Sequence, residues 1–269
     1  MRLKEPAFLC ADWGNRMQLT YEIGLLLFFS GVFAGFIDSI AGGGGLISLP
    51  VLLSLGINPQ VALGTNKLQA TFGVCTAAIN FTRKGNVILK ECGLGILTTF
   101  IGAVTGSFII QQLDPQFLGR LVPFLLLFVF LYMAFSRKLG YVDRKAKINT
   151  SVYYIIFGVL LGFYDGFFGP GTGMFWAASL LFFLGHTFTK AVGVTKIMNF
   201  TSNLVALSVF TLSGNVDIRI GVIMAVGQVI GANSGSRMAI RKGAGFIRPV
   251  FLFIVLVTIA QLFYRNFLR

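Results

Sequence analysis

Two aspartates and two lysines lie inside long apolar stretches of this sequence, and they are its strongest candidates for chemistry. Asp38 and Lys67 are in the first half of the chain, and Asp165 and Lys196 are in the second half. Ionised side chains are costly within a membrane, so they usually face a polar interior and mark a path for ions or substrates. The same order of acid and lysine in both halves predicts a duplicated membrane unit, a pattern typical of transporters.

The sequence around these charges recurs as well. GFIDSIAGGGG at 35–45 has its counterpart in GFYDGFFGPGTG at 162–173, and ALGTNK at 62–67 has its counterpart in AVGVTK at 191–196. IGAVTGS in the first half also recurs as IGANSGS in the second, with glycines four residues apart on one helix face. This small-xxx-small spacing predicts close helix packing.

Each aspartate stands just before a glycine-rich break, AGGGG at 41–45 or GPGTG at 169–173. Such a break unwinds a helix, and the half-helix that follows directs free N–H groups and a positive dipole end into the protein. Close packing or a simple turn is the alternative role for these glycines. A P-loop or dinucleotide site is rejected, because no strand precedes the glycines and no Gly-Lys-Ser/Thr follows them. The predicted anion ligands in the two breaks are Gly43, Gly44, Gly45, Gly171, Thr172 and Gly173.

Polar residues also follow each lysine at helical spacing. The first stripe comprises Asn66, Gln69, Gly73, Thr76 and Asn80, and the second comprises Asn199 and Asn203, with Thr195 and Ser202 beside it. Such stripes avoid lipid and should line a polar interior. A lysine in mid-membrane costs about 3 kcal/mol unless it finds a partner. We therefore predict that both lysines hold an anion, with these further contacts: Thr65, Asn66, Gln69, Thr195, Asn199 and Asn203.

Other roles remain open for the charged residues. In one alternative, each lysine extends to a membrane interface or only neutralises an aspartate, without binding an anion. Asp38 and Asp165 would cap the half-helices, pair with the lysines, or carry a coupling proton or sodium ion.

Composition places the whole chain in a membrane. Of its 269 residues, 55% are hydrophobic and only 12% are charged, and the mean hydropathy is +0.82. A soluble domain has about 25% charged residues. The periodicity is helical rather than the alternation of an outer-membrane barrel. We predict an all-α polytopic membrane protein.

Ten apolar elements are predicted, five in each half. They cover 22–41, 45–56, 60–81, 92–111, 117–136, 151–168, 173–185, 189–213, 218–238 and 247–266. The second and the seventh have about a dozen residues and reach roughly 18 Å, against a membrane core of about 30 Å. They are predicted to be half-helices or re-entrant segments, which leaves eight full spans. The predicted domains are an N-terminal tail at 1–19, membrane repeat 1 at 20–136, a basic linker at 137–150 and membrane repeat 2 at 151–269.

Two orientations are compatible with this pattern. With eight spans, the positive-inside rule places both termini in the cytoplasm; if the short elements also cross, the two repeats are inverted and both termini lie outside. In both cases the basic segment SRKLGYVDRKAK at 136–147 belongs in the cytoplasm. The opening residues lack the apolar core of a signal peptide, and Met17 offers an alternative start.

Several function classes are excluded by the residues present. The net charge of +13 lies in short loops and tails, so we interpret it as a topology signal and expect no nucleic-acid partner. Three cysteines and one histidine, His186, fit no metal-ligand spacing, and no cofactor or metal is expected. Neither HExxH nor a nucleophile–histidine constellation is present, so we predict that the chain is not an enzyme.

The sequence resembles the TauE/SafE family of sulfite and organosulfonate exporters over roughly 20–265. The segments GFIDSIAGGGGLISLPVLLSLGINPQVALGTNK and GFYDGFFGPGTGMFW carry the resemblance, together with the loops RKGNV and SGNVD. It implies a bacterial inner-membrane permease for a small sulfur-containing oxyanion, coupled to a proton gradient. Pro170 interrupts the second glycine run, and Val194 and Thr195 replace Thr65 and Asn66, so the two half-sites are not equivalent.

Together these features predict a secondary transporter embedded in the lipid bilayer. A small anion would bind at the interface of the repeats, and alternating access would come from one repeat rocking against the other. The alternatives are a transporter coupled to Na⁺ or H⁺ with Asp38 and Asp165 as ligands, and a non-transport membrane scaffold. The substrate, the direction of transport and the oligomeric state stay open.

Overall fold

The computed structural model describes residues 20–114, 117 and 145–242. Within this part the chain forms eight α-helices and one short 3₁₀ helix at Leu89–Cys92, and no strand. The helices are α1 (Tyr21–Ala41), α2 (Gly45–Ser54), α3 (Pro59–Arg83), α4 (Gly93–Gln111), α5 (Thr150–Phe167), α6 (Thr172–Phe183), α7 (Phe188–Leu212) and α8 (Ile218–Lys242). The tail at 1–19, most of the linker and the predicted elements 117–136 and 247–266 lie outside the described residues, apart from Phe117.

The eight helices begin within one residue of the corresponding predicted elements. The largest difference is at α8, which continues to Lys242 rather than ending at 238. Charged residues in its last turns interrupt the apolar run from which the element was predicted. Ala239 is nevertheless buried against neighbouring helices. Packing of one small residue thus extends the helix beyond the apolar run.

Four segments of the described chain are long and apolar enough to cross a membrane: α1, Leu89–Gln111, α5 and α8. Helices α3 and α7 are 25 residues long but less apolar, because they carry the buried lysines and their polar neighbours. The short helices α2 and α6 have 10 and 12 residues. The described fold is therefore all-helical and consistent with a membrane protein.

Two apolar clusters define the two ends of the bundle. The first contains Leu27 near the start of α1, Leu52 near the end of α2, Leu63 near the start of α3, Phe210 near the end of α7 and Met224 in the first half of α8. We call this end the α1 end.

The second cluster lies at the opposite end, where α5 begins. It contains Phe81 near the end of α3, Tyr153 in α5, Leu180 in α6, Ala191 in α7 and Ala239 in α8. We call this end the α5 end.

The short helices turn back beside the helices that precede them. The Tyr153 and Ser179 hydroxyl oxygens lie 2.6 Å apart, and the Lys147 backbone N–H donates to the Phe183 carbonyl at 2.7 Å, so α6 returns to the α5 end. Gly44 packs against Ala34 of α1, and α2 then returns to the α1 end. The two helical hairpins, α1–α2 and α5–α6, therefore enter the bundle from opposite ends.

Glycines bring two helix pairs into backbone contact, as the small-xxx-small spacing predicts. A Cβ added at Gly102 of α4 would come within 2.7 Å of the Phe163 nitrogen in α5. A Cβ added at Gly231 of α8 would come within 2.7 Å of the Phe36 nitrogen in α1. The pairs α1/α8 and α4/α5 thus each join a helix of the first half to a helix of the second.

Candidate functional site

The two hairpins meet tip to tip at their glycine-rich breaks. Gly42, which ends α1, has a φ of +82°, and Gly169 and Gly171, between α5 and α6, have φ values of +99° and +85°. This left-handed region favours glycine. A Cβ added at Gly42 would lie 2.5 Å from the Cα of Gly173, so neither tip has room for a side chain there. Small residues are therefore required where the tips touch.

Each lysine pairs with the aspartate of the opposite half of the chain. Lys67 Nζ donates to Asp165 Oδ1 at 2.7 Å and also to the Asp165 carbonyl oxygen. Lys196 Nζ donates to the Asp38 carbonyl oxygen and lies 3.5 Å from Asp38 Oδ2. Both lysines are at most 1% exposed. The two crossed ion pairs tie α3 to α5 and α7 to α1.

The two aspartates have different second partners. Asp165 Oδ2 accepts hydrogen bonds from the Ser202 hydroxyl and, at 3.4 Å, from Asn203 Nδ2, both on α7. Asp38 Oδ1 accepts from the backbone N–H of Gly44 at 3.2 Å, just before α2 begins. Asp165 therefore keeps hydrogen-bond donors that do not depend on Lys67, whereas Asp38 is tied to its own hairpin.

A small cavity lies between the hairpins and helices α3 and α7. The volume available to the centre of a water molecule is about 20 Å³, room for about one water. In this structure the site is therefore too small for a ligand much larger than a water molecule. The lining residues are Asp38, Gly42, Gly45, Asn66, Lys67, Ala70, Val74, Asp165, Gly169, Gly171, Asn199 and Asn203.

The structure brings six of the predicted ligands together at this cavity. Asn66 and Lys67 line it from α3, Asn199 and Asn203 line it from α7, and Gly45 and Gly171 represent the two half-helix starts. Among the residues that the structure describes, Asn199 Oδ1 is buried without a hydrogen-bond partner. An unpaired buried acceptor is uncommon in native structures and indicates a place for a donor or a cation.

The other predicted residues lie around the cavity without lining it. The Thr65 hydroxyl oxygen accepts from the Asp217 N–H, while Thr195 donates to the Ala191 carbonyl and Thr172 to the Gly169 carbonyl. Gln69 Nε2 donates to Asn66 Oδ1 at 2.9 Å. Also outside the lining are Lys196, Gly43, Gly44 and Gly173.

Sequence reasoning missed Ser48, whose hydroxyl donates to Asn66 Oδ1 at 2.5 Å. The sequence did contain a sign of its role, because Ser48 is a small polar residue in the apolar second element, one turn after the first glycine-rich break. Ala70 and Val74 were also missed, because apolar residues on a lysine-bearing helix carry no chemical signal. Among the described residues, no group of three or more His, Cys, Asp or Glu could hold a metal ion.

Comparison with known proteins identifies the family of this chain. The family model described as sulfite exporter TauE/SafE matches residues 27–262. The chain belongs to the TauE/SafE family. A probable membrane transporter protein of Haemophilus influenzae is 41% identical over 92% of this chain and 97% of its own length. The probable membrane transporter protein YfcA of Escherichia coli K12 is 41% identical over 90% of each chain.

A more distant relative also matches over most of the chain. YdhB of Bacillus subtilis, also described as a probable membrane transporter protein, is 27% identical over 87% of this chain and 98% of its own. No solved structure matches the chain significantly. The chain is thus a multi-pass membrane transporter of the bacterial inner membrane. The descriptions of the relatives also suggest that it is not an enzyme.

Proposed function

We propose that this transporter is a secondary permease or exporter for a small sulfur-containing oxyanion, such as sulfite or an organosulfonate. The observation that carries the proposal is the pair of crossed lysine–aspartate contacts around a closed central cavity. In this proposal Lys67 and the starts of α2 and α6 hold the anion near the middle of the membrane.

The contacts of Asp165 explain how an anion would gain access to Lys67. An oxyanion offers the lysine the same charged oxygen acceptor as a carboxylate, and such charge-assisted hydrogen bonds are strong. When the anion binds the Lys67 ammonium group in place of Asp165, the Asp165 carboxylate still accepts hydrogen bonds from Ser202 and Asn203. The anion therefore replaces the Asp165 carboxylate at Lys67 without leaving that carboxylate unpaired.

The charges of the site favour coupling to protons. Two lysines and two aspartates balance one another in the closed structure. A bound monovalent anion adds one negative charge, which is costly in a buried site. One proton on Asp165 would restore the balance and weaken its hold on Lys67. We infer transport of the anion together with a proton, with Asp38 and Asp165 as the coupling residues.

One observation favours a second candidate, cation transport with the same aspartates as ligands. The unpaired Asn199 Oδ1 and the carboxylates of Asp38 and Asp165 offer oxygen atoms to one cavity. Oxygen ligands suit Na⁺, which would then compete with the lysines for the carboxylates.

We propose that the site opens when the glycine-packed helix pairs move as units, and not when one repeat rocks against the other. Rocking of 20–136 against 151–269 would pull apart both α1/α8 and α4/α5, which are in backbone contact. Packed helices with so little space between them move more readily together. We expect α1–α2 with α8, and α5–α6 with α4, to move as units against α3 and α7.

Ligand-dependent thermal stability tests the proposal. A ligand that binds only the folded protein stabilises it, by about 2.7 kcal/mol at 100 times its Kd. We expect sulfite or one sulfonate, from a panel with sulfate, thiosulfate, taurine and sulfoacetate, to raise the Tm of the purified protein, more strongly at mildly acidic pH. The shift should vanish in Lys67→Ala and in Lys67→Ala/Asp165→Asn, which leaves no unpaired charge.

The matched control is Lys190→Ala, which removes another lysine of α7 away from the cavity. The Lys190 side chain is 40% exposed, and its Nζ lies 3.7 Å from Glu91 Oε2. This variant should keep the full anion shift. A wild-type shift in Lys67→Ala would contradict the proposed site. A shift with Na⁺ alone, lost in Asp165→Asn, would instead establish the cation candidate.

A further inference from the structure

A second group of buried polar side chains lies between α3 and α8, outside the central cavity. Gln69 of α3 is 0% exposed and Gln228 of α8 is 1% exposed, and within the described ranges the side-chain carbonyl oxygen of each has no hydrogen-bond partner. Gly73, one turn after Gln69, faces Gln228, and a Cβ there would come within 3.0 Å of Gln228 Nε2. The glycine therefore makes room for a buried amide.

Two other polar contacts flank these glutamines along α3 and α8, one on each side. Towards the cavity, Gln69 Nε2 donates to Asn66 Oδ1, and Asn66 lines the central site. Towards the α5 end, Asn80 Nδ2 donates to Asn233 Oδ1 at 3.1 Å and to the Ser236 hydroxyl at 2.8 Å. We define the polar seam as Asn66, Gln69, Gln228, Asn80, Asn233 and Ser236.

Helix packing alone does not require these polar groups. The offset that relates Lys67 to Lys196 also relates Gln69 to Met198 and Thr99 to Gln228. Met198 and Thr99 do lie in contact between α7 and α4, with Thr99 Oγ1 3.6 Å from the sulfur. Asn80 and Asn233 correspond to two valines by the same offset, Val209 and Val104. None of the four amide side chains between α3 and α8 therefore has an amide at the equivalent position of α4 or α7.

The polar seam ends among positive charges. Helix α3 ends at Arg83, followed by Lys84, and α8 ends with Arg241 and Lys242, all exposed at the α5 end. A cluster of one sign raises the local concentration of oppositely charged ligands. Anions would therefore collect where the polar seam reaches the surface.

We propose that the polar seam is the route by which the anion, with water, passes between the central site and the α5 end. A glutamine or asparagine presents either a carbonyl oxygen or an NH₂ group after rotation of its amide, so it serves both water and an oxyanion. The identity of the passing anion rests on the proposed function. The existence of a water-accessible route does not, so the two are tested separately.

Thiol labelling tests the route. In a variant without Cys10, Cys75 and Cys92, held in lipid nanodiscs, Gln228→Cys should react with the anionic, membrane-impermeant reagent methanethiosulfonate ethylsulfonate. The matched control is Val226→Cys, on the same helix two residues earlier, because Val226 is 53% exposed on the outer face of the bundle. We expect labelling at least tenfold slower at 226 than at 228.

Charge changes at the two ends of α8 identify the mouth. Arg241→Glu at the α5 end should slow the labelling of Gln228→Cys by the anionic reagent several-fold. Arg219→Glu at the α1 end should leave the rate unchanged. If Gln228→Cys does not fold, Gln69→Cys replaces it, with Phe72→Cys, 50% exposed on α3, as its control.

Equal rates at 226 and 228, or no reaction at 228, would overturn the proposed route. Slowing by Arg219→Glu and not by Arg241→Glu would overturn its direction towards the α5 end. Rapid, Arg241-dependent labelling in a protein that no anion stabilises would support the route while the proposed anion substrate fails.

Discussion

At the scale of single residues, the crossing of the ion pairs is the central feature of the site. Lys67 and Asp165 are 1% and 2% exposed, so each charge depends on the other for its stability in the bundle. A buried pair adds little net stability over apolar residues, but the loss of one partner leaves an uncompensated charge. The pair is thus better suited to a switch than to a structural brace.

A double-mutant cycle measures this dependence. Asp165→Asn or Lys67→Met alone should lower the free energy of unfolding by about 3–5 kcal/mol, because one buried charge remains unpaired. The double variant should recover much of that loss. The cycle is read by denaturant titration in mixed micelles.

The control cycle combines Lys67→Met with Asp38→Asn, the aspartate of the same half. Its coupling should be smaller by at least about 1 kcal/mol, since Asp38 pairs with Lys196. Equal coupling in both cycles would show that the crossed pairing does not govern the site.

The sequence predicted which residues matter here but not which of them meet. Helical spacing placed Asn66, Lys67 and Gln69 on one helix, and glycine breaks placed Asp38 near a helix end. Spacing within one helix says nothing about which neighbour it faces. The crossed partners and the split of the α3 stripe, with Lys67 directed to the cavity and Gln69 beside α8, follow from tertiary packing.

At the scale of helices, hairpins and glycine-packed pairs position the site. The short length of α2 and α6 was readable from the sequence, because about a dozen apolar residues cannot cross a membrane. The direction of α2 and α6 was not readable from the sequence, because a helix that continues across the membrane and one that turns back have the same apolar composition. Contacts such as Tyr153 with Ser179 decide it.

A glycine-to-alanine comparison tests the packed pairs. Gly231→Ala should destabilise the protein by about 1–3 kcal/mol, because the added methyl group meets the backbone of α1 at Val32 and Phe36. Gly93→Ala is the control, since no atom lies within 4 Å of its added Cβ. This variant should be neutral or gain at most about 1 kcal/mol of helix propensity.

Both variants are compared by thermal unfolding of the purified proteins. If Gly231→Ala is as stable as Gly93→Ala, α1 and α8 are not in rigid backbone contact. The proposal that they move as one unit would then fail.

At the scale of the whole molecule, the two ends of the bundle differ in charge. The described residues at the α1 end include Glu22, Asp114, Asp217 and Arg219. Those at the α5 end include one acid, Glu91, and the basic residues Arg83, Lys84, Lys90, Lys145, Lys147, Lys190, Arg237, Arg241 and Lys242. By the positive-inside rule we expect the α5 end to face the cytoplasm.

This orientation gives the inverted halves of one arrangement that the sequence left open, but by a different route, because α2 and α6 turn back instead of crossing. Thr20 precedes α1 at the α1 end, and Leu113 lies there too, since its carbonyl accepts from Gln60 at the start of α3. Lys145 and Lys147 lie at the α5 end, beside the last turn of α6. Leu113 and Lys145 therefore lie at opposite ends of the bundle, which favours inverted halves with Lys145 and Lys147 on the cytoplasmic side.

Two equivalent loops offer a matched test of this orientation. KGNV at 84–87 lies at the α5 end and SGNV at 213–216 at the α1 end, and Lys84 and Ser213 are both exposed. In a cysteine-free background, Ser213→Cys should react with an impermeant thiol reagent in intact cells. Lys84→Cys should react only after the inner membrane is permeabilised. The reverse pattern would place the basic end outside, where the polar seam would then deliver its anion to the opposite compartment.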